Sequence, residues 1–118
     1  MKDSYEEFLQ WVGSNESLMD YVRIHAEWNE DSFLQMQRLA REVMKTYAAK
    51  DYYPKHFVAY FMCEIPMIIN ILSQFRHCSE KERIAGYTDE CYLGMIADRI
   101  EQLKKFQQEF MYSLGDLQ

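Results

Sequence analysis

The sequence predicts an all-α, single-domain bundle of four to five helices with short connections and a Pro-kinked, apolar central helix. Three observations carry this. Only four Gly and two Pro occur in 118 residues, too few turn formers for a many-stranded sheet. Apolar residues recur at three- and four-residue spacing along most of the chain. Side chains suited to helix N-caps stand ahead of most of the periodic stretches. The 48% apolar content is enough to build one core, and no repeat or linker divides residues 1–118.

In chain order, Ser4-x-x-Glu7 reads as a capping box opening a short helix, with Tyr5, Phe8, Leu9 and Val12 on one side and Gly13 at its end. Ser14 or Asn15 is the next expected cap, before Leu18, Tyr21, Val22 and His25. Asp31 or Ser32 is expected to cap a third segment whose stripe is Phe33, Met36, Ala40, Val43, Met44 and Tyr47. No Gly or Pro lies between Glu16 and Lys50, so one long helix or two are both compatible with this stretch. Pro54 ends it, because the residue before a proline disfavours helical angles.

The apolar helix is expected from about Lys55 to His77. Ser79-x-x-Glu82 forms a second capping box, with Gly86 closing that turn. Thr88 caps a last helix whose seam at 93, 96, 100, 103, 107, 110 and 114 reads Leu, Ile, Ile, Leu, Gln, Phe, Leu, with Gly115 at its end. The alternative fold, a small α+β domain, would use residues 57–63 as a strand.

The stretch "YFMCEIPMIIN", residues 60–70, is the chain's most apolar run, yet it contains Glu64, Pro66 and Asn70. On an α-helical wheel started at Phe57, Glu64 falls inside the core stripe with Phe61, Ile68, Ile71, Leu72 and Phe75, all within about 60°. His56, Ala59, Cys63, Asn70, Gln74 and His77 gather into a separate polar strip. Three readings of Glu64 compete: a buried carboxylate paired with Arg or Tyr, a residue turned outward by a break at Pro66, or a functional acid in a pocket. A paired structural carboxylate is the preferred expectation. Three polar residues near the bilayer centre speak against a membrane span.

Several chemistries find no motif. There is no Glu-x-x-His, and His77-x-x-Glu80 is a single reversed pair, so no metal or other cofactor is expected. Cys63, Cys78 and Cys91 form no CxxC pair; they read as reduced thiols, two of them packing residues, in a cytoplasmic setting. Among the histidines only His77 adjoins a cysteine, Cys78, and neighbouring helical residues diverge by about 100°. Gly-rich phosphate loops are absent, no signal peptide is read, and no enzymatic activity is expected. Arg38, Arg41 and Lys45 share one face beside Glu42, a solvated surface rather than a track for nucleic acid.

Charge placement points to function instead. Residues 1–31 hold eight acids against Lys2 and Arg23, so they carry the whole net charge of −6, whereas residues 32–118 are balanced. Acids interleaved with aromatics suit the capture of a basic protein partner, with charge steering the encounter and aromatics anchoring it. The expected partner-binding residues are Glu6, Glu7, Trp11, Asp20, Glu27, Trp28, Glu30 and Asp31, in an inhibitor, immunity or adaptor type of protein. Two alternatives remain: a small-molecule or metal-binding bundle centred on Glu64 with the His56/Cys63/His77 strip, and a homodimer using the 93–114 helix.

Overall fold

The computed structural model describes residues 3–115. Among them stand six helices and no strand: α1 (Ser4–Val12), α2 (Leu18–Ile24), α3 (Glu30–Thr46), α4 (Lys55–Leu72), α5 (Glu80–Ile84) and α6 (Asp89–Ser113). The all-α expectation holds, with one helix more than the four to five expected because α2 and α5 are short. Residues 57–63, the alternative strand, are helical.

Five of the six described helix starts are set by side chains that reach an amide three residues on, whereas α4 follows Pro54 without a side-chain cap. Asp3 caps α1 by accepting the Glu6 N–H at 2.8 Å, so the cap is one residue ahead of the expected box at Ser4. Ser4 instead exchanges a hydrogen bond with Thr46 at the far end of α3. Ser17 caps α2 rather than Ser14 or Asn15, and Asn29 caps α3 rather than Asp31 or Ser32. Ser14 is engaged elsewhere, donating to the Trp11 carbonyl and accepting the Glu16 N–H. The Ser79–Glu82 box and the Thr88 cap form as expected.

Residues 16–50 form two helices. The break is at Ala26, whose φ of +52° is left-handed, while the Glu27 N–H returns to the Tyr21 carbonyl. This is the usual closing geometry of a helix, here without the glycine that normally adopts it. The apolar helix stops at Leu72 rather than His77, where Ser73 bonds back to the Asn70 carbonyl and Arg76 holds the Ser73 and Phe75 carbonyls.

α1 packs on α3, and α2 on α3 and α4; α6 lies against α3 and α4. Two bidentate pairs, Glu30–Arg99 and Arg41–Glu109, join α3 to α6. Both partners advance in the same direction by similar lengths, so the two helices run parallel. Aromatic contacts fill the centre. Phe61 stacks on Phe110 at 4.2 Å, and Phe57 and Tyr60 meet Phe8 edge-on at 5.1 Å. The α6 stripe inside this core is Tyr92, Ile96, Leu103, Phe106 and Phe110. The seam expected to serve a homodimer is therefore largely occupied by the chain's own core, with Leu114 outside it.

Candidate functional site: a half-buried carboxylate in an apolar groove

α4 is continuous through Pro66, and the irregularity there is a π turn over Tyr60–Glu64. The Ile65 N–H bonds the Tyr60 carbonyl, five residues back. The next bond of that kind would run from residue 66 to the Phe61 carbonyl, but proline has no N–H to give. Gln107 supplies it from α6: its Nε2 donates to the Phe61 oxygen at 2.7 Å. Gln107, the polar lapse in the α6 seam, thus satisfies the carbonyl that Pro66 leaves open.

The π turn also decides where Glu64 goes. Five-residue closure turns the chain less per residue than an α-helix, so the core stripe shifts to Phe57, Phe61, Ile65, Ile68 and Leu72. Ile65 takes the central place that α-helical phasing assigns to Glu64. Glu64 moves to the flank and is half-buried. The expectation of a paired carboxylate is corrected here: no hydrogen bond or ion pair reaches it among the described residues. Burial alone pushes its carboxyl above the usual range, and its charge adds to the burial that raises the Tyr60 phenol.

Glu64 lies on the wall of a groove of about 350 Å³ between α1 and α4. Phe8, Leu9 and Val12 come from α1, and His56, Ala59, Tyr60, Cys63 and Met67 from α4. The Tyr60 hydroxyl is turned away, toward the Met36 sulfur at 3.1 Å. On its other side Glu64 borders a second groove that includes Val12, Asp20, Arg23 and Ile24. The polar strip expected on α4 is solvent-facing, with His56 and Cys63 in the Glu64 groove and His77 in a separate depression near His25. No group of three His, Cys, Asp or Glu among the described residues is placed to hold a metal ion. Of the cysteines only Cys78 is buried, bonded to Asp89; Cys63 and Cys91 are exposed, so one rather than two is a packing residue.

The N-terminal acids divide into two sets. Trp11 and Trp28 are 7% and 8% exposed, so both close the core instead of standing out as anchors. Trp28 donates its ring N–H to Glu30, and Tyr92 accepts the Trp28 backbone N–H. Glu30 is taken by Arg99, whose hydrogen bonds hold its carboxyl below the usual range. Asp20 lies 3.7 Å from His25. Glu6, Glu7, Glu16, Glu27 and Asp31 have no ion pair among the described residues. Glu16 and Asp31 line one groove of about 310 Å³ with Tyr21, Gln35 and the edge of Trp11. No protein family, curated protein or solved structure matches the chain.

Proposed function

We propose that this protein is a non-catalytic binding protein whose acidic N-terminal surface docks a basic protein partner. One observation carries the reading: among the described residues Glu6, Glu7, Glu16, Glu27 and Asp31 have no ion pair, in the segment that holds the entire net charge. Beyond residue 31, four of the ten described acids have an ion pair, among them Asp89 with Arg83 and Glu109 with Arg41, against two of eight in residues 3–31. Unanswered charge of one sign accelerates encounter with an opposite surface and imposes salt dependence on it.

The burial and pairing of the side chains support a narrower version of this surface. Trp11, Trp28 and Glu30 leave the set of direct contacts, and the Glu16/Asp31 groove with Tyr21 becomes its centre. Its aromatic contribution is a ring edge within the groove rather than a protruding anchor. The proposed action is occlusion, the acidic surface covering a basic groove on the partner.

The test begins with affinity capture from the native cell extract, followed by kinetics on the captured partner. The Glu6→Lys/Glu7→Lys and Glu16→Lys/Asp31→Lys pairs are expected to slow association about tenfold at low salt and to flatten its salt dependence. Association rates equal to those of the unsubstituted chain would sink the proposal.

A further inference from the structure

We propose that the α1–α4 groove is a binding site for a small apolar amine, its ammonium on the Glu64 carboxylate and its hydrocarbon against Leu9, Val12 and Met67. This site is separate from the acidic surface and does not depend on it.

The groove is of a size that takes a small molecule, at the lower end of the range for such sites. Its lining is mostly apolar, and its polar members sort cleanly. Tyr60 has its hydroxyl committed to Met36, and His56 and Cys63 are exposed at the rim. Glu64 is the one carboxylate of the lining, half-buried and without a hydrogen bond or ion pair among the described residues.

A carboxylate drawn partly out of water and left unpaired is destabilising unless a donor or cation arrives. A cationic ligand supplies both a charge-assisted hydrogen bond and a compensating charge, a neutral alcohol supplies a hydrogen bond without the charge, and an anionic ligand is repelled. The demand is built by the backbone. The π turn brings Glu64 to the groove wall, and the Pro66–Gln107 arrangement around the Phe61 carbonyl supports that turn. Such turns recur at functional positions in helices.

An ammonium on an apolar stem can be a free amine or a lysine side chain. The free amine is favoured because a groove of about 350 Å³ walled by α1 and α4 matches the size of a small-molecule site, where a free ligand can bring its whole apolar stem against Leu9, Val12 and Met67.

The experiment titrates the full chain with n-hexylamine, 1-hexanol, hexanoate and N-acetyl-lysine methylamide at pH 7, following the Leu9, Val12 and Met67 methyl signals by NMR. Hexylamine is expected to bind saturably and at least tenfold more tightly than hexanol or the blocked lysine, with no saturable shift from hexanoate. Glu64→Gln should reduce the amine to the affinity of the alcohol. Ala59→Leu, a good helix former at an exposed lining position, should fill the groove and abolish both. The proposal is overturned if amine and alcohol bind alike, if the Gln variant keeps the preference for the amine, or if blocked lysine equals hexylamine.

Discussion

Glu64 and Ala26 are each held in a state that their residue type disfavours, and each makes a measurable statement about stability. For Glu64 the folded carboxyl titrates above its unfolded value because burial penalises the charge. Below the unfolded pKa both states are protonated and the group contributes nothing. As pH rises through the folded pKa, the folded state holds a half-buried carboxylate and loses stability relative to the unfolded chain. Glu64→Gln should therefore raise the melting temperature at pH 7, and the gain should vanish at pH 3.5; an equal gain at both pH values would show that charge is not its source. At Ala26 the left-handed backbone costs about 1–2 kcal/mol for an L-residue, against about 0.5–1 kcal/mol of extra chain entropy lost by glycine. Ala26→Gly should stabilise by roughly 0.5 kcal/mol in a denaturant titration. The sequence left this break open between one helix and two, because helix ends are usually read from Gly and Pro and neither stands between residues 16 and 50.

Within elements, what was legible depended on whether local chemistry acted alone. The Ser79 and Thr88 caps are local and were read correctly, whereas at Asp3, Ser17 and Asn29 several cap-competent residues crowd together and geometry chose among them. The α3 stripe was readable because that helix is regular; Phe33, Met36, Ala40 and Val43 are all buried. In α4 the same wheel misplaced Glu64, since it assumes 100° per residue and the π turn breaks that assumption. The cause lies partly in α6, 46 residues away, where Gln107 answers the Phe61 carbonyl. Gln107→Ala should cost about 1–2 kcal/mol, the penalty for stranding a partly buried acceptor. In a Pro66→Ala background an N–H returns to α4 as an alternative donor, so the same substitution should cost about 1 kcal/mol less. A double-mutant cycle by urea denaturation reads this coupling, and strict additivity would refute the pairing of Pro66 with Gln107.

For the whole molecule the question is whether the α6 seam is an internal surface or one shared between two copies. Phe110 touches Tyr53, Phe57 and Phe61, and Leu103 and Ile96 are fully enclosed, so most of the seam has no area left for a second chain. The exposed side of α6 carries Asp98, Glu101, Lys104, Lys105 and Glu109, in keeping with a solvated face. The two bidentate pairs between α3 and α6 are largely exposed and add little individually, so the aromatic core does most of the holding. Phe110→Ala should then remove about 3–5 kcal/mol, a large part of the stability of a domain this size. A folded dimer melts at a temperature that climbs with protein concentration, because dissociation is linked to unfolding. Here the melting temperature of the unsubstituted chain should stay constant over a hundredfold range of concentration, and Phe110→Ala should lower it equally throughout. A midpoint that rises with concentration, and loses that dependence in the variant, would instead place α6 in an interface between copies.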